Sequence, residues 1–341
     1  MAALMSVTSC SDDFSAGDNA WDKEQYAHYI SFKAPLGDNG VTELYVPYTR
    51  KNIDRTPMYP EEGRNGKGIS EYYLPVIVSG STTNKQNITV HVGADPDTLA
   101  SVNESRFQLR TDLYYKDMSQ YASYPETVNV PSGQDVSLMH IKFNFTDIDL
   151  VNKWVLPIQI LDDPSYGYTS HPRKNYAKAM LRILPFNDWS GDYSGTGLKI
   201  FIAGDNANAS AVDKVRLYVV DENTVFFYPG TIDEDRLDRA NYKIYAEFVG
   251  DEASGVVNFR CDNPNVKFTT GKQASYRVVE EMDAVQDYIK HRYVIINNVD
   301  YSFVDYTSVK GYELAYAASG SLTLERKINT QIEDGDYAIQ W

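Results

Sequence analysis

Most ordered-looking stretches of the chain alternate apolar and polar residues with a period of two, which is the spacing of a half-buried β-strand. The stretch "SLMHIKFNF" places Met139, Ile141 and Phe143 on one face, and "YKIYAEF" places Tyr242 and Ile244 on one face in the same way. Similar runs occupy residues 72–80, 87–94, 154–162 and 177–186. The spacing predicts about a dozen strands, so we expect an all-β chain.

Turn chemistry divides these runs into hairpins. Residues 221–224, "DENT", separate two alternating runs and predict a hairpin, and "NN" at 297–298 predicts a second one. Helix signals are few, and the clearest is "DPDTLASVNE", where Pro96 suits the first position of a short helix. The chain is therefore expected to consist of antiparallel strands with one short helix.

A cluster of Pro, Gly, Asn and Asp in "LPFNDWSGDYSGTG" predicts a domain boundary near residue 186. We assign a first domain to 25–185, whose strand count suits an immunoglobulin-like β-sandwich. The second domain, 186–341, consists of consecutive hairpins, as in an antiparallel β-barrel or sandwich. Its opening, "WSGDYSGT", is similar to the first strand of lipocalin-like barrels.

Composition narrows the possible partners. The net charge is −15, and a nucleic-acid partner would need a basic surface, so we expect none. The chain contains no run of about 18 apolar residues, so no membrane-spanning helix is predicted. The 27 tyrosines suit half-buried strands, and their flat rings also suit a binding surface.

Signals for catalysis and metal binding are weak. Only two cysteines occur, and the five histidines are scattered, so we expect no metal site and no cofactor. The densest acid cluster, "IDEDRLDR" at 232–239, contains two arginines and is more simply read as a solvated, self-paired loop. No nucleophile or phosphate motif is present, so we assign no catalytic residue, although carboxylates from distant strands can still meet in space.

The stretch "SVTSCSDDF" resembles a bacterial lipobox followed by a surface-export signal. Residues 1–9 would be the remnant of a signal peptide, although they contain no Lys or Arg, and Cys10 would carry the lipid. Residues 10–24 are polar and aperiodic, which is typical of a flexible tether. The resemblance implies a lipid-anchored protein exposed at the cell surface on the outer membrane. A chance cysteine is the alternative.

Two longer stretches carry a second resemblance. "YYLPVIVSGSTTNKQNITVHVGADPDTLASVNES" and "VNVPSGQDVSLMHIKFNFTDIDLVNKWVLPIQILD" resemble an uncharacterised N-terminal domain of Bacteroidetes glycan-utilisation surface proteins. That domain also precedes the catalytic barrel of some family-18 endo-β-N-acetylglucosaminidases, whose acidic signature is absent from this chain. The second half resembles another uncharacterised domain that follows the first. The resemblance implies a starch-utilisation-system-type accessory lipoprotein that binds glycan beside a transporter pair.

Aromatic residues outside the predicted strands are the candidate sugar-binding residues, because loop side chains are not needed for the core. Eight residues meet this condition: Tyr114, Tyr115, Tyr121, Tyr124, Tyr166, Tyr168, Trp189 and Tyr228. For each of them ordinary packing is the alternative, and Trp189 in particular suits a plug at a barrel end. The stretch Asp97-Thr98-Leu99 fits a short O-glycosylation motif of such surface proteins, which makes Thr98 a possible modification site.

Three functions follow from these signals. The first is a surface-exposed lipoprotein that captures an oligo- or polysaccharide by aromatic stacking without catalysis. The second is a structural module that packs on an outer-membrane transporter complex. The third is a glycoside hydrolase with an unrecognised carboxylate pair, for which two carboxylates about 5–9 Å apart would be needed.

Overall fold

The structure is a computed structural model, and it describes residues 28–341 except 81, 174, 206 and 231. The lipobox, Cys10 and most of the predicted tether lie outside the described residues. The all-β, two-domain fold is confirmed, with two sheets packed as a sandwich followed by a closed barrel. The sheets change between Phe186 and Gly191. The predicted domain limits themselves stay predictions.

The sandwich is built from a five-stranded and a six-stranded sheet. Its strands are β1 (Tyr29–Phe32), β2 (Thr42–Pro47), β3 (Ile69–Ser79), β4 (Ile88–Ala94), β5 (Lys116–Asp117), β6 (Ala122–Ser123), β7 (Thr127–Val130), β8 (Val136–Asn144), β9 (Trp154–Ile160), β10 (Thr169–Ser170) and β11 (Lys178–Phe186). The first sheet has the order β10-β1-β3-β8-β6. The second has the order β2-β11-β9-β4-β7, with β5 beside β9. The pairs β1–β10, β2–β11 and β5–β9 are parallel, and the others are antiparallel.

The predicted helix is present as α1 (Pro96–Phe107). It begins where expected because Asp95 caps it, accepting a hydrogen bond from the Thr98 amide at 3.2 Å, and Pro96 follows at the first turn. Asn103 faces inward and exchanges hydrogen bonds with the backbone of Tyr115 at 2.8 and 3.0 Å. Short 3-10 turns occupy Thr111–Leu113, Ser119–Tyr121, Pro164–Tyr166, Arg239–Tyr242 and Pro264–Val266.

The second domain is a single sheet of twelve strands. They are β12 (Gly191–Ser194), β13 (Leu198–Ile202), β14 (Ser210–Ala211), β15 (Lys214–Val219), β16 (Thr224–Phe227), β17 (Ile244–Gly250), β18 (Ser254–Arg260), β19 (Thr269–Thr270), β20 (Ala274–Met282), β21 (Ile289–Asp305), β22 (Leu314–Asn329) and β23 (Ile339–Gln340). Eight of them close a barrel in the order β22-β12-β15-β16-β17-β18-β20-β21, because β21 also pairs with β22.

One predicted hairpin is present and the other is wrong. The strands β15 and β16 pair on either side of residues 220–223, as the turn chemistry predicted. Residues 297–298 lie instead within the continuous strand β21, where the register shifts between Ile296 and Val299. Asn298 has a φ of 55°, so the two asparagines form a β-bulge that bends the strand without reversing it.

Alternation along the strands supplies two separate cores. In the sandwich, Met139, Ile141 and Phe143 of β8 are almost fully buried, as their spacing predicted. Trp154 closes one side of this core, and its indole N–H donates to the Asp149 carbonyl at 2.8 Å. In the barrel, the largest fully buried side chain is that of Tyr193, whose hydroxyl donates to the Trp189 carbonyl at 2.7 Å.

A tight turn at 187–190 joins the two domains. The Asn187 side-chain oxygen accepts from the amides of Trp189 and Ser190 at 3.0 and 2.8 Å. Arg326 of β22 donates to the carbonyls of Asn187 and Ser190 at 2.6 and 2.7 Å. The connection is therefore fixed to the barrel wall by side chains that are themselves buried.

Candidate functional site

A cavity of about 240 Å³ lies where the two domains meet. Ligand sites are often found at domain interfaces, with mostly apolar walls and a few convergent polar groups. The sandwich contributes Tyr45, 150–154 and 182–186, and the barrel domain contributes 190–192, 216–218, Tyr228, Glu234, Arg239, 324–326 and 339–341.

One wall of this cavity is aromatic. The ring of Trp341 stacks on Tyr45 with centroids 4.1 Å apart and planes within 2°, and it lies 4.7 Å from Phe186. Arg326 covers the rings of Phe186 and Trp341 at 5.6 and 5.5 Å. Trp341 nevertheless remains 51 % exposed. The wall therefore offers a broad apolar surface next to a cationic group, and part of it is open to solvent.

The facing wall is polar. Arg216 holds Asp192 through two hydrogen bonds of 2.5 and 2.9 Å, and the Tyr218 hydroxyl donates to Glu234. Burial raises the pKa of the Tyr218 phenol, and the neighbouring Glu234 carboxylate adds to the effect. Burial likewise raises the pKa of Tyr228. Both phenols are therefore protonated at neutral pH and can act as hydrogen-bond donors.

The acid cluster 232–239 forms part of the contact between the domains. Its Asp235 binds Lys153 of the sandwich at 2.6 Å, and Arg239 donates to the Val151 carbonyl at 3.1 Å. Arg236 pairs with Asp238 within the cluster at 2.7 Å and also with the buried Asp305 at 2.9 Å. The expectation of a solvated, self-paired loop therefore holds only for the Arg236–Asp238 pair.

Of the eight predicted binding residues, Tyr228 alone lines this cavity. Tyr166 and Tyr168 lie together near β4, where Tyr166 stacks on His91 at 3.8 Å. The Tyr168 hydroxyl donates to the Leu161 carbonyl at 2.6 Å and accepts from the His91 amide, which occupies its polar tip. This pair is a second aromatic cluster, on the sandwich and outside the cavity.

The remaining predicted residues support the fold. Tyr115 lies under α1 and is 4 % exposed, and Trp189 is 6 % exposed and stacks on Phe248 at 4.5 Å, so neither has a free ring face. Tyr121 packs edge-on against Trp154. Tyr124 also packs on the sandwich core, and Tyr114 donates its hydroxyl to the Gln108 carbonyl at 2.7 Å.

Thr98, the predicted modification site, lies in the first turn of α1 and is half-buried. Lys178 donates to its hydroxyl at 2.5 Å and to the capping carboxylate of Asp95 at 2.8 Å. Its hydroxyl is therefore already engaged by a neighbouring strand. Glycosylation at Thr98 stays a prediction.

Sequence reasoning missed the aromatic wall. Phe186 falls in a predicted strand, Tyr45 lies in a segment for which no strand was predicted, and Trp341 lies more than 150 residues away from both. Their proximity results from the packing of two domains, so spacing along the chain contained no signal for it. The one available hint was the excess of aromatic residues.

Among the described residues, no three His, Cys, Asp or Glu side chains are arranged to hold a metal ion. In the same part of the chain, no helix has the length and apolar character needed to cross a bilayer.

Comparisons with known proteins place the chain in a family. A domain of unknown function, DUF4973, matches residues 21–164, and a second family model described as a "-like, C-terminal" domain matches residues 177–323. An auxiliary nutrient binding protein from Bacteroides thetaiotaomicron is 46 % identical, with a TM-score of 0.83, over 93 % of this chain and 100 % of that one. The chain belongs to the same family.

Further members share its architecture. A multidomain protein including DUF1735 from Bacteroides ovatus is 38 % identical, with a TM-score of 0.78, over 92 % of this chain and all of that one. No curated protein matches the chain. The expected kinship with Bacteroides proteins is confirmed, while the links to starch-utilisation systems and to family-18 enzymes stay predictions.

Proposed function

We propose that this family member is a surface-exposed glycan-binding lipoprotein of a polysaccharide-utilisation system, and that it captures its ligand without catalysis. The inter-domain cavity carries the proposal, because it combines an aromatic wall at Tyr45 and Trp341 with hydrogen-bonding groups at Tyr218, Tyr228 and Asp192. The description of a 46 % identical relative as an auxiliary nutrient binding protein supports a binding role.

The chemistry of the two walls suits a sugar. The C–H-rich face of a pyranose ring packs on an aromatic plane, and its hydroxyls need donors and acceptors at the rim. Trp341 supplies the plane, while the Tyr228 hydroxyl and the Asp192 carboxylate supply the polar contacts. Drug-sized ligand sites usually measure about 300–1,000 Å³. At about 240 Å³, the cavity suits a single ring at the end of an oligo- or polysaccharide.

Affinity electrophoresis against a panel of polysaccharides tests this function. We expect at least one glycan to retard the wild-type protein and Trp341→Ala to abolish the retardation, because the stacking plane is lost. Leu138→Ala is the matched control, since it removes an exposed apolar side chain from the outer face of the sandwich, away from the cavity. Lack of retardation by every glycan would contradict the proposal, and hydrolysis products in the same samples would favour the glycosidase.

One observation favours the alternative of a module that packs on a transporter. The outer face of β3 and β8 exposes a row of large side chains in register, with Tyr73 opposite His140 and with Leu138 and Val136 exposed beside it. Exposed apolar patches often mark protein contacts. This alternative predicts that no glycan retards the protein and that Leu138→Ala, but not Trp341→Ala, weakens its co-purification with an outer-membrane transporter.

We also propose that the protein is anchored to the outer membrane through lipid on Cys10. Several acyl chains on one residue give firm binding, since each buried methylene adds about 0.8 kcal/mol. Cys10→Ala should move the protein from the membrane fraction of cells to the soluble fraction. Cys261→Ala, at the half-buried second cysteine, should leave it in place. Retention of Cys10→Ala on membranes would contradict the lipobox.

A further inference from the structure

The inter-domain cavity is cationic within an acidic protein. Its walls carry five cationic side chains and three carboxylates, whereas the whole chain has a net charge of −15. The cations are Lys153, Arg182, Arg216, Arg239 and Arg326, and the carboxylates are Asp192, Glu234 and Glu325. A positively charged cavity in a negatively charged protein attracts anionic ligands to that site.

The three cavity carboxylates pair with only some of the cationic side chains of the cavity. Asp192 is held by Arg216 and by Lys214 at 3.0 Å. Glu325 accepts a hydrogen bond from His291 at 2.7 Å. Glu234 accepts from Tyr218. Each carboxylate therefore has a partner other than Arg182, Arg239 or Arg326.

Arg326 is the most exceptional of the cavity arginines. It is 5 % exposed, and the carboxylate that acts on it electrostatically, Asp188, already pairs with Lys51, Arg55 and Arg292. Its hydrogen bonds go to two backbone carbonyls, and its Nε is buried without a partner in the described part of the chain. Burial lowers the pKa of Arg326 to about 10. A buried charge that shares one carboxylate with several other cations is only partly compensated, and an anion in the cavity would offset the remaining cost.

Two further arginines line the cavity and, in the described part of the chain, form no ion pair with its three carboxylates. Arg239 is 5 % exposed and donates to the carbonyl oxygens of Val151, Arg236 and Asp112, and the Tyr228 hydroxyl is a further partner. Arg182 binds Glu43 through one terminal nitrogen at 2.7 Å, but its Nε is buried and finds no partner among the described side chains. Several guanidinium groups in one cavity suit an acceptor with several negatively charged oxygens.

We infer that the cavity binds a sugar residue that carries a negatively charged group, a carboxylate or a sulfate ester, with that group directed at Arg182 and Arg326. The inference rests on the proposed function, and it adds the class of sugar. The apolar ring face would lie on Trp341, while the anionic oxygens would accept hydrogen bonds from the terminal guanidinium nitrogens. Binding adds no covalent step.

Isothermal titration calorimetry on the intact protein tests this inference with galacturonate and galactose 6-sulfate against their neutral parent galactose, and with glucuronate against its neutral parent glucose. We expect at least one anionic sugar to bind about tenfold more tightly than its neutral parent, because hydrogen bonds to charged groups are the stronger ones. The preference should shrink between about 50 mM and about 500 mM salt, since screening weakens charge pairs. The uronates and the sulfate ester distinguish the two kinds of anion.

Single substitutions test which arginines cause the preference for an anionic sugar. Arg182→Gln and Arg326→Gln should each remove most of the preference for the anionic sugar while leaving binding of its neutral parent within about twofold, because neutral hydroxyls need no full charge. Arg64→Gln is the control, since Arg64 is exposed and lies outside the cavity. If Arg326→Gln fails to fold, Arg182→Gln carries the test alone, because its partner Glu43 is at the surface.

The outcomes separate the inference from the function on which it rests. Equal affinity for every anionic sugar and its neutral parent overturns the inference and leaves a neutral-glycan site intact. A preference that survives both arginine substitutions also overturns it. Binding of no sugar in calorimetry, together with no retardation by any polysaccharide, overturns both.

Discussion

A single amide side chain organises the connection between the domains. Asn187 accepts hydrogen bonds from two amides of the following turn, and its own amide donates to the Asp221 carbonyl at 2.7 Å. Asparagine suits this position because its side chain can satisfy backbone donors two residues ahead. The same turn supplies the carbonyls that accept hydrogen bonds from Arg326. The conformation of the turn at Asn187 therefore helps to position Arg326 in the cavity wall.

Asn187→Ala should therefore destabilise the protein. The substitution leaves two amides of the turn without an acceptor, and each buried unsatisfied group costs about 1–3 kcal/mol, so we expect a loss of about 2 kcal/mol in urea unfolding. Asn223→Ala, at an exposed asparagine of the β15–β16 hairpin, should change stability by less than about 0.5 kcal/mol. Equal effects of the two substitutions would show that the Asn187 side chain does not stabilise the turn.

The local sequence indicates which residues could bind a ligand but not where they lie in the folded protein. Tyr228 follows a strand and precedes Pro229 and Gly230, and it lines the cavity, while its role in binding stays a prediction. Tyr115 and Trp189 were likewise predicted to bind a ligand, but both turned out to fill spaces between elements. Burial of a loop residue depends on what packs over it, and the local sequence does not contain that information.

At the scale of elements, the long pair β21–β22 is tied at one end by a histidine. His291 of β21 contacts Glu325 of β22 at 2.7 Å and Asp283, just beyond β20, at 2.9 Å. The facing strands add Glu281 on one side and Lys327 on the other. The hydrogen bond to Asp283, followed by that to Glu325, raises the pKa of His291 above its usual value.

This arrangement predicts a pH-dependent contribution to stability. Because the folded-state pKa of His291 is raised, its stabilisation is fully present below its ordinary pKa of about 6.5 and is lost as pH rises through the raised value. The melting temperature of wild type should exceed that of His291→Gln at about pH 6, and the difference should shrink by about pH 8.5. In a chain carrying Asp283→Asn and Glu325→Gln, the same substitution should show no such trend. A difference that grows with pH would contradict the assignment.

Strands were predicted correctly where the alternation of apolar and polar residues identifies them, and the helix was predicted from its capping residues. Alternation identified β8, β11 and β17, and cap chemistry at Asp95 and Pro96 identified α1. The error at Asn297–Asn298 has a physical cause, because asparagine favours positive φ in turns and in bulges alike. Which of the two forms depends on whether a neighbouring strand continues past the site, and here β22 does.

At the scale of the whole molecule, Arg50 joins the end of the chain to the sandwich. Its side chain is buried and donates to Asp336 at 2.8 Å and to Asp334, beyond β22, while its Nε lies 3.6 Å from the buried Glu71. Tyr337 covers its guanidinium at 5.0 Å. One cation therefore balances carboxylates from both domains.

Removing this cation should weaken the contact between the domains. Arg50→Ala leaves Asp336 without its counter-ion and Glu71 with His140 and the Tyr59 hydroxyl as its partners, and breaking such a buried pair costs about 3–5 kcal/mol. We expect a loss of about 3 kcal/mol in urea unfolding, at the lower end because Asp334 and Asp336 are partly exposed. Arg64→Ala breaks an exposed pair with Asp147 and should cost less than about 1 kcal/mol. If Arg50→Ala also cost less than about 1 kcal/mol, the result would contradict a stabilising role for Arg50 between the domains.

The division into a sandwich and a barrel followed from local patterns, but the cavity between them did not. Each wall of the cavity belongs to a different core, and hydrophobic periodicity reports only which face of a strand is buried. The contacts of Tyr45 with Trp341 and of Lys153 with Asp235 form only when the two folded domains pack against each other.

Closure of the barrel also determines the order in which the two domains can fold during synthesis. The sandwich has all its strands once Phe186 is made, so it can fold while the remainder is still being translated. The barrel must wait, because β12 pairs with β22 and Tyr193 meets Leu324. Trp341 then adds the aromatic wall of the cavity. A protein truncated before residue 314 would consequently lack the cavity wall formed by 324–326 and 339–341, and we expect it to lose binding at the proposed site.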